Sequence, residues 1–455
     1  MESDKHDREM ETEEESDRSK RSRMMNGTNY NIPRRQIETT GDCYDEIMKG
    51  YTLNVNGSVR SSWLNHVKWL SVDGMLDGMD SSQVGRSTTI RSLSLQLCQI
   101  KRRLWPAAQD FSRFDSQNPN VHFEKARRAC NPFEVLGEGR QGGMNSFFMN
   151  RSAIKLANLN AMLDFTLTQH DRKGDFIFVD LCGAPGGFSE YILQFCRQQC
   201  RGYGMSLIGC NEQGRGSDWK IQNTGNYRIC YGADGTGDIY NWNNVLALQA
   251  MIQSDCDHPN ELMEVGKVHL VMADGGFDAQ RDSECQEELA QKICICQASA
   301  ALALLKKGGT FVMKMFGFQT TQVRILMRNI MQAFDHMVAV KPISSRPASA
   351  ERYVIFSGFK GTSLDFDGLK WRNFTFLGDT GAETPTDADM KRTRHLNMYM
   401  DEIDLDMVNL NLKTCFAILS HLQKWLSTLE HAGSGYEEQM PRIDIDSYVR
   451  EWYLN

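Results

Sequence analysis

A glycine-rich segment at residues 180–190 has the composition of a ligand-binding turn. It reads Asp-Leu-Cys-Gly-Ala-Pro-Gly-Gly-Phe-Ser-Glu and overlaps an apolar run, Phe176–Leu181, that predicts a buried strand. Gly183, Gly186 and Gly187 allow the backbone to approach a ligand closely and to adopt turns that a Cβ atom would forbid. The main-chain N–H groups at the start of the following helix suit a carboxylate. The segment therefore predicts a ligand site at a strand-to-helix junction, where open α/β sheets bind ligands.

The spacing of these glycines indicates which ligand the turn would take. A dinucleotide site requires G-x-G-x-x-G, whereas this chain has G-A-P-G-G, and its proline stiffens the turn differently. The pattern favours S-adenosylmethionine, whose methionine carboxylate is small, over a pyrophosphate. A tight turn that serves the fold and binds no ligand is the alternative.

Four ionisable residues are predicted at the ends of core elements. Asp274 follows Val-Met-Ala at the carboxyl end of a strand, Lys314 lies in an apolar strand, Glu351 precedes the last strand, and Lys155 lies on the helix before the glycine-rich turn. A lysine in an apolar strand is unfavourable without partners, so Lys314 is expected to lie between carboxylates. A second lysine beside it would lower its pKa towards a value useful in acid–base chemistry. A buried ion-pair network without catalytic use is the alternative.

The elements that position these residues alternate as in an α/β protein. We expect a mostly parallel sheet covered by helices, an S-adenosylmethionine-dependent, Rossmann-like methyltransferase fold with an antiparallel final strand and helical extensions at both ends. The predicted strands are Phe176–Leu181, Gly204–Gly209, Tyr227–Tyr231, Val268–Ala273, Thr310–Met315, Met337–Lys341 and Tyr353–Phe359. The predicted helices are Ser87–Trp105, Ser152–Gln169, Phe188–Gln198, Glu284–Lys307, which would end at Gly308-Gly309, and Asp404–Glu430.

Composition excludes several classes of protein. Of the 455 residues, 41% are hydrophobic and 24% are charged, as in ordinary globular chains. The 13 cysteines include no C-x-x-C pair, so we expect reduced thiols and no metal site. No apolar run reaches the ~20 residues that span a bilayer, and a soluble intracellular protein without a membrane partner is expected. The net charge of −7 is unusual for a nucleic-acid binder, but much of the acid lies in the first residues.

The four ionisable residues complete a resemblance to a known family. Lys155, Asp274, Lys314 and Glu351 have the order and sheet positions of the K-D-K-E tetrad of the FtsJ-like (RrmJ-type) ribose 2′-O-methyltransferases. Beyond the tetrad, the chain closely resembles the eukaryotic cap-specific mRNA 2′-O-methyltransferase 1 family, which methylates the first transcribed nucleotide and so converts cap 0 to cap 1. The resemblance covers about residues 120–360 and rests on the glycine-rich turn and on three further motifs, Phe147-Phe-Met-Asn-Arg-Ser-Ala-Ile-Lys155, Met272-Ala-Asp-Gly-Gly-Phe277 and Ser345-Arg-Pro-Ala-Ser-Ala-Glu-Arg-Tyr353.

The resemblance implies a role for each of these positions. Lys314 would be the general base, and Lys155, Asp274 and Glu351 would tune it and orient the hydroxyl. Asp238 would read the adenine side of S-adenosylmethionine. The remaining implied cofactor-binding residues are Asn150, Asp180, Cys182, Gly183, Ala184, Pro185, Gly186, Gly187, Phe188 and Ile239.

The resemblance also implies contacts with a capped RNA. Arg127 and the Trp219-Lys220 segment would meet the 7-methylguanosine or its triphosphate, and Ser349 would contact the substrate; a solvated arginine or a core tryptophan is the alternative. Glu284, also a candidate substrate contact, stands where animal members carry Asn, and Gly137–Gly143 resembles an insertion beside the cap segment. The strand ending at Gly209 lacks the usual acid for the cofactor ribose, unless Glu212 serves.

The predicted domains are a charged disordered tail over 1–25, a partly helical flank over 26–119, an FtsJ-like domain over 120–361 and a helical extension over 362–455. The larger animal members also carry a G-patch, a guanylyltransferase-like domain and a WW module, none of which we find, so a minimal member is expected, with an excised catalytic core as the alternative. The family implies a nuclear location, which the basic cluster Lys20–Arg23 supports, and transcription machinery as a possible partner.

Three other functions compete with cap methylation. A ribosomal- or transfer-RNA 2′-O-methyltransferase would share the tetrad and the turn. A catalytically inactive RNA-binding subunit would be expected to have lost a tetrad member. A Rossmann oxidoreductase would need G-x-G-x-x-G and has no use for two lysines at strand ends. DNA is not an expected substrate, because it has no 2′-hydroxyl.

Overall fold

The computed structural model describes residues 70–71, 84–113, 119–131, 133, 148–168, 176–196, 199–209, 218–256, 267–276, 286–361 and 387–432. The charged tail, Glu212, Glu284 and the Gly137–Gly143 segment lie outside these residues. The described helices are α1 (Val84–Gln109), α2 (Pro119–Cys130), α3 (Arg151–Met162), α4 (Gly187–Cys196), α5 (Trp242–Cys256), α6 (Gln286–Leu304), α7 (Thr321–Gln332) and α8 (Asp387–Ala432). The described strands are β1 (Leu70–Ser71), β2 (Phe176–Leu181), β3 (Cys200–Met205), β4 (Tyr227–Ile229), β5 (Val268–Ala273), β6 (Leu305–Met315), β7 (Phe334–Val340) and β8 (Arg352–Phe359).

These strands form one mixed sheet in the order β1-β7-β8-β6-β5-β2-β3-β4. Strands β6, β5, β2, β3 and β4 run parallel to one another, whereas β8 runs antiparallel to both β6 and β7. Strand β2 is buried at every position and β5 at all but one, as continuous apolar runs in a sheet covered on both faces should be. The predicted fold class, including the antiparallel strand at the end, is confirmed.

Several element boundaries differ from the prediction. Strand β3 ends at Met205 and was predicted about four residues too late. Helix α6 ends at Leu304, before the predicted terminator, because strand β6 already begins at Leu305. Gly308 lies inside this strand with a positive φ, where the register with β5 is irregular. Helix α8 begins at Asp387, well before the predicted start. Helices α2, α5 and α7 were not predicted.

The described chain packs around two hydrophobic clusters. The first, which we call the sheet cluster, joins the strands to α5, α6, α7 and the early part of α8, including Leu396 and Met400. The second, which we call the helical cluster, joins α1 and α2 to the later part of α8, from Val408 to Leu422. Helix α8 therefore belongs to both clusters. None of the helices described here is long and apolar enough to cross a membrane.

Candidate active site

The glycine-rich turn lies directly on the carboxylate of Asp180. This side chain is fully buried, and its Oδ2 accepts hydrogen bonds from the Ser189 amide (3.1 Å) and hydroxyl (2.8 Å) at the start of α4. A Cβ on Gly183 would stand 2.3 Å from the Asp180 carboxyl carbon, so only glycine permits this approach. The backbone also takes positive φ at Cys182 (56°) and Gly186 (110°). Asp180 thus stabilises the turn by packing against Gly183 and bonding to Ser189.

Burial dominates the electrostatics of Asp180. It raises the pKa of the carboxyl group to about 7, partly offset by the Ser189 hydroxyl and reinforced by the charge of Asp274. Its Oδ1 has no hydrogen-bond partner in the described chain. A buried carboxylate oxygen without a hydrogen-bond partner, packed against the glycine-rich turn, indicates a ligand-binding turn. Asp180 then holds the backbone that would contact the ligand.

Asn150 joins the start of α3 to the start of α4. Its side-chain oxygen caps α3 by accepting from the amides of Ser152 (3.0 Å) and Ala153 (3.4 Å). A Cβ on Gly187 would lie 2.1 Å from the same oxygen. The carboxylate of Glu190 on α4 adds a second link by accepting from the Met149 amide at 2.8 Å. Helix α3, which carries Lys155, is therefore fixed against the glycine-rich turn.

The four tetrad residues form two ion pairs at the same edge of the sheet. Lys155 Nζ lies 2.8 Å from Glu351 Oε1, and Lys314 Nζ lies 3.1 Å from Asp274 Oδ1. Lys314 also donates to the Asp274 main-chain oxygen at 2.5 Å. The register of the sheet brings them together, because β5 pairs with β6 one residue before Asp274 and β6 pairs with β8 at Lys314. The sequence-based grouping of these four residues agrees with the structure.

A second set of polar side chains, which sequence reasoning did not single out, supports the tetrad. The Tyr353 hydroxyl donates to Asp274 Oδ1 at 2.8 Å, and burial raises the pKa of this phenol well above its usual value, so it stays neutral and keeps its proton. The Ser152 hydroxyl donates to the other Asp274 oxygen at 3.1 Å. Ser345 donates to Glu351 Oε1 at 2.7 Å. Tyr353, Ser152 and Ser345 all lie inside the motifs of the resemblance, which was the available signal.

Lys341 is a fifth charged residue next to the tetrad. Its ammonium donates to the Ser345 hydroxyl (3.1 Å) and to the main-chain oxygens of Ser349 (2.8 Å) and Glu351 (2.6 Å). Burial lowers its pKa well below that of a free lysine, and the positive charge of Lys155 acts in the same direction, against the carboxylate of Glu351. Lys341 thus holds the backbone that leads into Glu351.

The pKa of Lys314 moves opposite to the expectation. Burial lowers it, but the charges of Asp274 and Glu351 outweigh burial, and the net pKa lies above that of a free lysine. The expectation that a neighbouring lysine lowers it is wrong, because Lys155 is paired with Glu351 and the two carboxylates dominate at Lys314. The pKa of Glu351 is correspondingly held below its usual range, because three lysines outweigh its burial.

The Asp238 loop lies at the end of the neighbouring strand β3. The Asp238 carboxylate accepts from the Tyr240 amide (2.8 Å), and its main-chain oxygen accepts from buried Asn244 (3.0 Å). A Cβ on Gly237 would lie 1.9 Å from the Ser206 oxygen, which follows β3. The glycine-rich turn meets the same strand end, since the Cys182 amide donates to the Met205 oxygen at 2.7 Å. The two predicted cofactor segments, with Ile239 buried behind the second, therefore meet at one place.

The predicted cap contacts divide into three places. Trp219 packs beside the turn, against Gly204 and Gly186, and the Lys220 amide donates to the Pro185 oxygen at 3.0 Å. Arg127 lies on α2 with its guanidinium 5.2 Å from the Phe123 ring. The Ser349 hydroxyl accepts from the Glu351 amide at 3.2 Å. The structure brings Ser349 to the tetrad and Trp219 to the turn.

Among the described residues, no cluster of three or more His, Cys, Asp or Glu side chains could hold a metal ion. Nine of the cysteines in the described part of the chain are free thiols: Cys98, Cys130, Cys182, Cys196, Cys200, Cys230, Cys294, Cys296 and Cys415.

Comparison with known proteins shows that the central region is similar to one family. Residues 148–359 match the model of the FtsJ-like methyltransferase family. The chain is 32% identical over 256 residues to cap-specific mRNA (nucleoside-2′-O-)-methyltransferase 1 of Drosophila melanogaster, a match covering 53% of this chain and 30% of the relative. The Homo sapiens protein of the same name is 32% identical over 250 residues, covering 52% of this chain and 28% of the relative. The match thus spans less than a third of the length of either relative.

Among solved structures, a Plasmodium falciparum protein described as a ribosomal RNA methyltransferase aligns with 47% of this chain and 100% of its own, at 17% identity. The TM-score is 0.34, too low to carry an argument.

Proposed function

We propose that this chain transfers a methyl group from S-adenosylmethionine to the 2′-hydroxyl of the first transcribed nucleotide of capped RNA, because residues 148–359 match the model of the FtsJ-like methyltransferase family. The observation that carries the proposal is the convergence of two partly buried lysine–carboxylate pairs beside a glycine-rich turn. The Drosophila and human relatives are named as cap-specific 2′-O-methyltransferases of mRNA. We therefore favour capped mRNA as the substrate and the ribose 2′-oxygen as the acceptor.

The residues of the turn fit the cofactor. The cradle over Asp180 has no room for a Cβ at Gly183, and the start of α4 presents amides to a carboxylate. Asn150 approaches this turn at Gly187. The Asp238 loop and the turn both contact the end of β3, the loop at Ser206 and the turn at Met205. When bound, S-adenosylmethionine supplies an electrophilic methyl group on a sulfonium. The chain must hold the acceptor oxygen in line with it, and such positioning can account for much of the rate.

Lys314 is the residue that we propose to act on the ribose hydroxyl. Methyl transfer would make an O–CH₃ bond and break both the S–CH₃ bond, whose electron pair stays on sulfur, and the O–H bond, so the hydroxyl proton must pass to an acceptor. Lys314 Nζ can take it after losing its own extra proton to solvent. Asp274 holds Lys314 in place through two contacts, of 3.1 and 2.5 Å. Lys155, fixed by Glu351 at 2.8 Å, donates to the acceptor oxygen and orients it.

The contacts with capped RNA follow from the same proposal. A 2′-hydroxyl restricts the substrate to RNA. Arg127, Lys220 and Ser349, together with Trp219 and Glu284, are the candidate contacts to the cap and the first nucleotides, since arginine suits phosphates and aromatic faces suit a cationic methylated base. We infer a nuclear location, with transcription machinery as a partner, from the family resemblance; the names of the relatives give the mRNA cap as their substrate.

Methyl transfer from labelled cofactor to short RNAs ending in m7GpppN, GpppN or pppN tests the proposal. We expect transfer to the first ribose of capped RNA, and Lys314→Ala should lower the rate at least ~100-fold, the lower range for a lost general base. The matched control is Lys307→Ala, an exposed lysine on the same strand, which should leave the rate unchanged.

Other outcomes contradict parts of the proposal. Equal transfer to uncapped or structured RNA would keep the chemistry but assign another RNA as substrate. Binding of S-adenosylhomocysteine without transfer to any RNA would indicate an inactive RNA-binding subunit.

A further inference from the structure

The segment between β7 and β8, residues 344–351, delivers Glu351 to the tetrad without belonging to the sheet. Two backbone hydrogen bonds lie within it or at its start, from Ser345 to Pro342 and from Ser349 to Arg346. Its other carbonyls need side-chain donors, since buried main-chain oxygens are nearly always paired. Its position, and that of Glu351, therefore depends on the side chains that reach it.

One of these donors comes from the C-terminal helix α8. The side-chain amide of Asn411 donates to the main-chain oxygens of Pro347 (2.7 Å) and Ser349 (3.1 Å). Asn411 is 2% exposed, and its helix neighbours Val408 and Leu412 belong to the helical cluster. An amide in such surroundings is costly unless it is hydrogen-bonded. Both of its N–H groups are directed to the 344–351 segment.

The same helix also holds the residue that follows Glu351. Asp404 lies two turns before Asn411 on one face of α8, and its carboxylate pairs with Arg352 at 2.5 Å, with side-chain exposures of 1% and 4%. Its second oxygen accepts from the Phe318 amide at 3.2 Å, just after strand β6. Helix α8 therefore contacts the backbone before Glu351 and the side chain of the residue after it. Both residues lie outside the region matched by the family model.

We propose that α8 is a positioning element of the methyl-transfer site and that Asn411 is its positioning residue, fixing Glu351 in its pairing with Lys155. The catalytic consequence rests on the proposed function, whereas the positioning itself does not. Without Asn411 the Pro347 oxygen loses this donor, and the Ser349 oxygen keeps only Lys341 among the described side chains. The remaining side-chain donors reach Ser344, Ser345, Ala350 and Glu351, so the middle of the segment loses its hold. Glu351 then moves away from Lys155 and Lys314.

The positioning can be measured without any RNA. Acetylation of Lys314 by a trace of acetic anhydride, followed by mass spectrometry across a pH series on the full chain, reports when its ammonium loses a proton. Because Glu351 helps to keep Lys314 charged, Asn411→Ala should bring the labelling midpoint to lower pH by about half a unit or more. Asn409→Ala, a half-buried asparagine on the same helix, makes the same change of residue and should leave the midpoint unchanged. Asn411→Gln, which keeps the amide, should restore part of the wild-type profile.

Kinetics supply the second readout. In Asn411→Ala we expect kcat for methyl transfer to fall about ten-fold, because small displacements of positioned groups are costly, while the affinity for S-adenosylhomocysteine stays within two-fold. An unchanged labelling midpoint in folded Asn411→Ala protein would overturn the inference, as would a parallel loss of kcat, cofactor affinity and thermal stability. If the wild type methylates no RNA, the proposed function fails and the labelling comparison still decides the role of Asn411.

Discussion

Lys314 carries a positive charge in the resting site, and this sets the pH dependence of the proposed reaction. Its neighbours Asp274 and Glu351 favour the ammonium more than burial disfavours it, so its pKa lies above that of a free lysine. A group with a raised pKa loses its proton only as the pH rises, and only the neutral amine can accept the hydroxyl proton.

We therefore expect the single-turnover rate of methyl transfer to increase about ten-fold per pH unit between pH 7 and 9. Glu351→Gln removes a negative charge from Lys314, so the rising limb should move to lower pH by about one unit, although the maximal rate falls. Rapid-quench measurements on capped RNA across this range test both expectations. A rate independent of pH in the wild type would show that Lys314 does not act as the base.

The sequence predicted which residues meet but not how they are held. The ends of core elements mark the four ionisable residues as unusual, and the family resemblance groups them into a tetrad. The direction of the Lys314 pKa could not be predicted, because it depends on the distances that separate it from Asp274 and Glu351. Lys341 and Asn411 escaped notice for a similar reason: their partners are main-chain oxygens, which no sequence pattern marks.

At the scale of elements, glycines lie where another side chain packs directly against the backbone. Gly202 and Gly204 in β3 leave room for the rings of Phe178 and Trp219, since a Cβ would lie 2.3 and 2.5 Å from them. Glycine has low strand propensity, so the prediction placed this strand too late. Strands β2 and β5, with uninterrupted apolar runs, were predicted to the residue.

The contact between α3 and α4 at Gly187 gives a prediction for an element junction. Asn150→Ala removes the cap of α3 and should reduce the free energy of unfolding by ~1 kcal/mol. Gly187→Ala should cost more, because its Cβ would stand 2.1 Å from Asn150 Oδ1 and 3.0 Å from the Ala153 amide. In the double variant the clash with the Asn150 oxygen is gone, whereas the clash with the Ala153 amide remains. The sum of the free-energy losses in the two single variants should therefore exceed the loss in the double variant. Urea unfolding of the four proteins tests this cycle, and strict additivity would contradict the proposed contact.

At the scale of the whole described chain, α8 connects the two hydrophobic clusters. Its early residues Leu396, Tyr399 and Met400 pack in the sheet cluster, and its polar contacts from Asp401 to Arg324 and from Asp404 to Arg352 lie on the same stretch. Its later residues pack against α1 and α2, where Trp425 lies edge-on to Phe111 and under the Lys125 ammonium. A continuous helix cannot unfold in one cluster without affecting the other. The two clusters should therefore unfold together.

Leu422→Ala tests this coupling, because Leu422 lies in the later part of α8, well separated in sequence from the tetrad. Leu422 is fully buried in the helical cluster, so its truncation should reduce the free energy of unfolding by ~2–5 kcal/mol. If the clusters unfold as one unit, the slowest-exchanging amides of β6 and β8 should lose the same free energy of protection as those of α1. Hydrogen exchange with mass spectrometry measures both in a single experiment, and Gln423→Ala, an exposed neighbour, provides the baseline. Loss of protection confined to α1, α2 and the end of α8 would show instead that the helical cluster unfolds independently, and a change there would then reach Glu351 only through Asn411 and Asp404.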